Sequence, residues 1–175
     1  MPRPDAAPLP PDAVEIDVLV DAPLWSELPD AERIAIEAAL AALAAVSEEV
    51  PAPAEMSITL TDDARIRVLN REWRDIDKPT NVLSFPAPDL PEDVDDAPQP
   101  LGDVIVAYET LAREAALDGK PVAHHLTHLV VHGTLHLIGY DHLEDHEAEE
   151  MEGLERQILD GLGIDDPYRL PQDGG

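Results

Sequence analysis

The chain has 175 residues, 44% of them hydrophobic, which is enough to bury the core of one domain of ordinary size. It contains no cysteine, so disulfides, thiolate metal sites and cysteine nucleophiles are excluded, and any metal ion must be bound by His, Asp or Glu. A formal net charge of -27, from 11 Lys+Arg and 38 Asp+Glu, argues against a generic nucleic-acid binder, because such proteins are usually basic.

The ends of the chain and its apolar runs bear on organisation and location. Residues 1–12 are rich in proline and are predicted to be a disordered N-terminal extension, with no apolar segment that could serve as a signal peptide. No run reaches the roughly 18 apolar residues that span a bilayer. We therefore predict a cytoplasmic protein without a membrane partner. A single domain over residues 13–168 and a loose tail over 169–175 complete the predicted organisation.

Alternating and helical hydrophobic periods predict four strands and five helices. In chain order these are a strand at 14–20, a helix at 31–47 capped by Asp30, a strand at 56–60, a helix at 62–74, a strand at 81–85, a mobile Pro- and acid-rich loop at 86–100, a strand at 101–107, and helices at 108–117, 121–138 and 145–162. The second helix is predicted to carry Ile66, Leu69 and Trp73 along one face. The fold class is α/β (α+β), with a roughly four-stranded mixed sheet packed by helices around one buried helix.

Five of the seven histidines lie on that buried helix, and two more follow it. His132 and His136 are four residues apart, so their imidazoles share a helical face and can bind one ion. Gly139 can take the left-handed conformation that ends the helix, which lets His142 fold back onto the ion. We predict one divalent metal ion, zinc, on His132, His136 and His142, with a fourth position open to water as in a catalytic site. His128 is predicted to be a neighbour of the site or a core histidine with its hydrogen bonds satisfied, and His146 is the alternative third ligand.

The spacing H-x3-H-x5-H, with Gly after the second His, matches that of the metzincin peptidases, except that their general-base Glu is here Gly133. A glycine inside a helix costs about 0.5–1 kcal/mol relative to alanine, so helix stability alone does not explain it. Two explanations stay open at this stage. The missing side chain either leaves room for a bulky substrate beside the metal or allows close packing of the helix against a strand.

A short basic stretch stands out in this acidic chain. Five of the 11 positive charges fall between residues 65 and 78, namely Arg65, Arg67, Arg71, Arg74 and Lys78. For Arg65 and Arg67, ion pairing on a solvated helix face is the simpler interpretation. Arg74 and Lys78 follow the amphipathic part of the helix and are the better candidates for binding a phosphate.

The segment HGTLHLIGYDH closely resembles the signature of the YbeY family of bacterial rRNA-maturation endoribonucleases. The segments LNREWRDIDKPTNVLSFP, LGDVIVA and EDHEAEEMEGLERQIL are similar to other blocks of that family, and together they cover most of residues 56–168. The resemblance implies a zincin-like fold and one Zn2+ on the three histidines named above. It further implies that Arg74 is a phosphate-binding catalytic residue.

The same resemblance implies the substrate and partners: single-stranded rRNA, chiefly the 3′ end of small-subunit rRNA, with a role in ribosome quality control. The small ribosomal subunit or its proteins would deliver the RNA to so acidic an enzyme, and DNA is not expected as a substrate. The nucleophile is either water or a ribose 2′-OH. A 2′-deoxy substitution at the cleaved nucleotide, which blocks only the second route, would distinguish them.

Two other functions fit the same metal spacing. A metallopeptidase would need a base other than Gly133, such as Asp141 or Glu144. A non-enzymatic ribosome-assembly factor would use the metal only to hold the helix and the following loop together. For a Gly133→Glu variant we expect, from the sequence, that metal and fold are kept, that ribonuclease activity falls, and that no peptidase activity is gained.

Overall fold

The computed structural model describes residues 14–51, 53–88, 98–140 and 144–164. It has four strands, β1 (Val14–Val20), β2 (Ala54–Thr61), β3 (Val82–Pro86) and β4 (Gln99–Ala107). Its five α-helices are α1 (Ala31–Ala45), α2 (Asp63–Arg74), α3 (Tyr108–Asp118), α4 (Val122–Ile138) and α5 (Asp145–Gly161). Short 3-10 helices at Pro23–Glu27 and Ser47–Glu49 were not predicted from the sequence.

The strands form one mixed sheet in the order β1-β2-β4-β3. Strands β1, β2 and β4 are parallel, and β3 runs antiparallel to β4 at the edge, with Ser84 opposite Val104. The predicted α/β class and four-stranded mixed sheet are therefore confirmed. The zincin-like part of the fold prediction and the domain limits at 13 and 168 stay predictions.

The two faces of the sheet are covered unequally. On one face, α1, α4 and α5 share the main core with Val104 and Val106 of β4. On the other face, α2 covers a smaller apolar group in which Ile66 contacts the sheet. Helix α4 crosses β3 and β4 and also touches α1, α3 and α5, so it lies at the centre of the fold. This central helix carries His132 and His136, two of the three predicted metal ligands.

Local backbone features fix both ends of the helices that matter for function. Asp62 caps α2 by accepting a hydrogen bond from the backbone N–H of Arg65 at 2.9 Å. Helix α2 ends at Asp75, whose φ of 61° is left-handed. Helix α4 ends at Gly139 with φ of 112°, a conformation that glycine adopts without steric cost. The helix-ending role predicted for Gly139 is confirmed.

The predicted apolar face of α2, with Ile66, Leu69 and Trp73, is covered unevenly by the rest of the protein. Ile66 is fully buried and Leu69 is partly buried, but Trp73 is 70% exposed. Its ring leans on Phe85 of β3, with ring centroids 5.9 Å apart. Because β3 is the edge strand, no described element lies beyond it to cover the other face of the indole.

Several predictions fall on residues that the structure does not describe. These are the disordered extension at 1–12, most of the loop at 86–100, the tail at 169–175 and the third ligand, His142. Within the described ranges, none of the helices is long and apolar enough to cross a membrane.

Candidate metal centre

Helix α4 brings His132 and His136 together on its partly exposed face. Their Nε2 atoms lie 3.1 Å apart, and the two rings meet nearly edge to face. Two nitrogens bound to one tetrahedral zinc at about 2.0–2.1 Å would be about 3.3 Å apart. The pair is therefore spaced so that either a proton or one metal ion can be shared between the two nitrogens. The donor set, two imidazoles on one helical turn, fits zinc without rearrangement of the helix.

The third predicted ligand, His142, lies outside the described residues, three positions after the left-handed Gly139 that ends α4. The alternative, His146, lies in the first turn of α5 with its side chain 76% exposed, and its Nδ1 is 3.5 Å from Glu144. His146 belongs to a separate group with Glu144 and Glu147, whose ligand atoms all lie within 4.8 Å of one another. His132 and His136 are not members of that exposed group.

A buried carboxylate supports the pair from behind. Glu155 of α5 has no exposed surface, and its Oε1 accepts hydrogen bonds from Nδ1 of His132 and Nε2 of His128, both at 3.0 Å. His128 is thus a neighbour of the site, as predicted. Because a carboxylate only accepts hydrogen bonds, Nδ1 of His132 must carry the hydrogen, which leaves Nε2 with a lone pair directed at His136.

The ionisation of Glu155 results from two opposing effects. Burial by itself raises the pKa of this carboxyl group, because it removes water from the charged form. The hydrogen bonds from His128 and His132 outweigh burial and bring the pKa of Glu155 to about 2. The carboxylate is therefore charged at neutral pH and available as an acceptor for His132.

The structure decides between the two explanations for Gly133. A Cβ atom there would lie 2.8 Å from Cγ1 of Val104 and 3.0 Å from Oγ of Ser84. Ser84 also donates a hydrogen bond to the carbonyl oxygen of Gly133 at 3.2 Å. Gly133 therefore allows close packing of α4 on β3 and β4. The expectation that Gly133→Glu keeps its fold stays a prediction, and this contact argues against it, since the new side chain would have to displace the side chains of Val104 and Ser84.

Arg65 and Arg67 of the basic stretch form ion pairs, but with partners outside α2 and not four residues along the helix. Arg67 pairs with Asp77 at 2.8 Å, which raises the pKa of the arginine and lowers that of the aspartate, and Arg65 pairs with Asp21. Arg74, in the last turn of α2, is exposed and makes no ion pair with the part of the chain that the structure describes. Arg71 and Lys78 are also exposed and make no ion pair with the described residues, so three positive charges are available to an anion at this end of the helix.

The backbone that follows Arg74 is held by a buried amide. Asn70 is 4% exposed, and its side-chain Nδ2 donates a hydrogen bond to the backbone carbonyl oxygen of Lys78 at 2.9 Å. The backbone carbonyl oxygen of Asn70 accepts a hydrogen bond from the N–H of Ile76. These bonds fold the segment after α2 back on the helix. They hold the backbone at Arg74 in place, although the side chain of Arg74 extends into solvent.

Sequence analysis missed both Glu155 and Asn70. Each leaves a signal in the sequence, because each is a polar residue that lies on the same helical face as buried apolar residues. Glu155 lies one turn after buried Met151 and one turn before buried Leu159. A fully buried carboxylate in such a stripe needs donors, and the histidine-rich helix was the available source.

Comparison with known proteins identifies the family to which the chain belongs. The sequence model described as Endoribonuclease YbeY matches residues 27–163. A protein named Endoribonuclease YbeY from Azorhizobium caulinodans is 72% identical over 161 residues, which are 92% of this chain and 100% of the relative. One of the same name from Bradyrhizobium sp. strain BTAi1 is 58% identical over 154 residues, 87% of this chain and 90% of the relative.

Among solved structures, the solution structure of TM1509 from Thermotoga maritima aligns with a TM-score of 0.49 at 24% identity, covering 89% of this chain and 99% of that one. The assignment rests on the sequence relatives and on the extent of the family match, which includes α4, α5 and the basic stretch of α2. The chain belongs to the YbeY family of endoribonucleases.

Proposed function

We propose that this endoribonuclease is metal-dependent and binds one zinc ion through His132, His136 and His142. Family membership makes the protein a hydrolase of phosphodiester bonds in RNA. The observation that carries the metal proposal is the 3.1 Å separation of the Nε2 atoms of His132 and His136, together with the acceptor that Glu155 provides behind His132. The turn at Gly139 supports His142 as the third ligand.

When bound, a zinc ion supplies a Lewis acid that polarises water and phosphoryl oxygens. The chain's own contribution is to hold and orient the imidazoles and to neutralise the negative charge that develops on the phosphate. We assign the second role to Arg74, because its exposed guanidinium group is anchored by the folded end of α2. The residue that follows His132 in the sequence is Gly133 and not a glutamate, and the packing of Gly133 leaves no space for a carboxylate at that position.

The same packing argues against the metallopeptidase alternative. In metzincin peptidases the general base occupies the position of Gly133, where Val104 and Ser84 here lie against the helix. Glu144, which could replace it, is exposed and close to His146, 3.5 Å from its ring. The histidine pair His132 and His136, together with Arg74, suits an anionic substrate better than a peptide.

For the substrate we propose single-stranded rRNA, in particular the 3′ end of small-subunit rRNA, in maturation and ribosome quality control in the cytoplasm. A chain with a net charge of -27 repels free RNA. The small ribosomal subunit or one of its proteins is therefore the proposed partner that brings the RNA to the metal centre.

The test combines metal content with cleavage. Purified protein should contain one zinc per chain, and His132→Ala, His136→Ala and His142→Ala should each lose it. Wild-type protein should cleave single-stranded small-subunit rRNA precursors, with more cleavage when small-subunit proteins are present. Arg74→Ala should reduce cleavage by about 100-fold and leave zinc content and Tm unchanged.

Arg33→Ala is the matched control for lost charge, because Arg33 lies on α1 and pairs with Asp30 and Glu37. It should cleave like the wild type. If all three histidine variants keep both zinc and activity, the metal proposal is wrong. If they lose zinc and unfold while wild-type protein cleaves no RNA, the metal has the structural role expected of an assembly factor.

A further inference from the structure

The most unusual buried group in the described residues is the carboxylate of Glu155. It is enclosed by α5, α4 and the main core, in a helix face otherwise formed by Met151, Ile158 and Leu159. Removing a carboxylate from water costs several kcal/mol unless hydrogen bonds compensate, so a methionine or leucine would be the simpler choice for the core. A charged residue retained in an apolar stripe marks a position where another requirement overrides packing.

The hydrogen bonds of Glu155 indicate what that requirement is. One oxygen, Oε1, is 3.0 Å from Nδ1 of His132 and 3.0 Å from Nε2 of His128. The contacted nitrogen of His132 is the one remote from His136, so the bond sets the hydrogen on Nδ1 and the lone pair on Nε2. The bond also limits rotation of the ring, whose side chain is 24% exposed and so receives only partial support from packing.

We propose that Glu155 is a positioning residue, which holds His132 in the tautomer and orientation that present Nε2 to a divalent cation. This inference rests on the proposed function of the histidines as metal ligands. A carboxylate behind a metal-binding imidazole makes the ring a stronger ligand, and loss of such a partner typically costs about 10–100-fold in metal affinity. His128 contributes by giving the same oxygen a second donor, so the carboxylate is fixed from two turns of α4.

A purely structural role for Glu155 would give different results. If the carboxylate only ties α5 to α4 through His128, its replacement would lower stability without changing the metal affinity of the folded protein. The two roles therefore separate in zinc affinity and in the tautomer of His132, each measured on folded full-length protein well below its Tm.

Three variants make this separation. Glu155→Gln keeps the shape and one acceptor oxygen but removes the charge. Glu155→Met removes the acceptor and keeps an unbranched apolar side chain of similar length. The double variant Glu155→Met/His128→Leu also removes the second donor, so that the core becomes apolar at both positions. We expect this double variant to stay folded even if Glu155→Met alone unfolds. Ile158→Val, on the same buried face of α5, is the control for a small loss of packing.

Zinc affinity is measured by competition with a chromogenic chelator on metal-stripped protein. We expect the dissociation constant to rise by about 10–100-fold in Glu155→Met and in the double variant, by less in Glu155→Gln, and to stay within about twofold in Ile158→Val. Nitrogen NMR shifts of the imidazole rings of metal-free protein should show hydrogen on Nδ1 of His132 in the wild type and a mixture of tautomers in the double variant.

The inference is overturned if the folded Glu155 variants bind zinc within about twofold of wild type, or if Ile158→Val weakens binding as much as they do. An unchanged His132 tautomer in the double variant also overturns it. Wild-type protein that does not bind zinc would instead refute the proposed metal function, and the tautomer measurement would still decide whether Glu155 controls His132.

Discussion

At the scale of single residues, Gly133 shows how a position beside a proposed metal ligand can be determined by packing. Its neighbours in sequence are the proposed ligand His132 and buried Thr134, and its own α-carbon faces Val104 and Ser84. The nearest of these atoms would be 2.8 Å from a new Cβ, closer than carbon atoms approach in folded proteins. The tight fit of α4 on the sheet keeps the two histidines at a fixed height above β3 and β4.

We predict that Gly133→Ala destabilises the protein even though alanine is the better helix former. Overpacking at such a contact costs about 1–3 kcal/mol, which exceeds the gain of up to about 1 kcal/mol in helix propensity. The matched control is Gly153→Ala on α5, where a new Cβ meets nothing within 4 Å. Urea denaturation should show Gly133→Ala below wild type and Gly153→Ala slightly above it.

Equal stabilisation by the two alanines would contradict this account, because it would mean that the side chain of Val104 moves aside without cost. Gly133→Glu should be less stable than Gly133→Ala, since it adds a longer and charged side chain at the same contact. Sequence reasoning could not settle this point. A helical glycine signals a missing side chain but does not show which element occupies the space.

At the scale of elements, α4 is linked to α3 and to the residue before β3 through a buried histidine, His125. His125 is 5% exposed, and its Nε2 lies 2.8 Å from Oε1 of Glu114 on α3. The same oxygen accepts a hydrogen bond from Asn81, just before β3, at 3.0 Å. Within the described residues Nδ1 of His125 is buried and has no partner. The neutral ring with hydrogen on Nε2 satisfies this environment, whereas the protonated ring would bury a second donor without an acceptor.

We predict that this arrangement makes stability fall as the pH is lowered through the range of histidine titration. Burial lowers the pKa of His125 from its usual 6.5 and outweighs the hydrogen bond to Glu114, which raises the pKa; Lys120 and His128 lower it further. The unfolded chain therefore binds the proton more readily. The contribution of His125 is complete above pH 6.5 and is lost as the pH falls towards the lower pKa of the folded state.

Urea denaturation between about pH 5 and pH 7.5, with a chelator present, measures this dependence. His125→Gln should be less stable than wild type at the upper end, with a difference that shrinks as the pH falls. His124→Gln, at the adjacent and partly exposed position, is the control and should keep the wild-type dependence. A difference between His125→Gln and wild type that grows on acidification would contradict the prediction.

The elements themselves were largely predictable, because hydrophobic period and turn residues determine them locally. All four strands and five helices lie where alternation or a 3.6-residue period placed them, and Gly139 ends α4 as predicted. The order β1-β2-β4-β3 was not predictable, since strand pairing is non-local. The exposure of Trp73 was not predictable for the same reason: helical periodicity identifies a face but does not show where the sheet beneath it ends.

At the scale of the whole molecule, the charges are distributed very unevenly. Acidic residues outnumber basic ones by 38 to 11, and five of the basic residues lie between positions 65 and 78. The described ion pairs are mainly exposed, such as Arg33 with Glu37 and Arg67 with Asp77. Exposed pairs contribute little to stability, so they do not offset the mutual repulsion of the excess carboxylates. Positive charge is therefore most concentrated in the stretch that includes the end of α2.

We therefore predict that salt stabilises this protein. Screening reduces long-range repulsion among the carboxylates, and the exposed ion pairs lose less because they are few and weak. Raising ionic strength from about 10 mM to about 200 mM should increase Tm, and each 1 kcal/mol gained corresponds to about 2–4 °C for a chain of this size. The measurement uses metal-free protein with a chelator, so that changes in zinc affinity do not contribute.

Sodium chloride and sodium perchlorate at equal ionic strength should have nearly the same effect in this low range, because screening depends on charge and not on the identity of the anion. A fall in Tm with both salts would show that the ion pairs outweigh the repulsion, and the net charge of -27 would then not limit the stability of the fold.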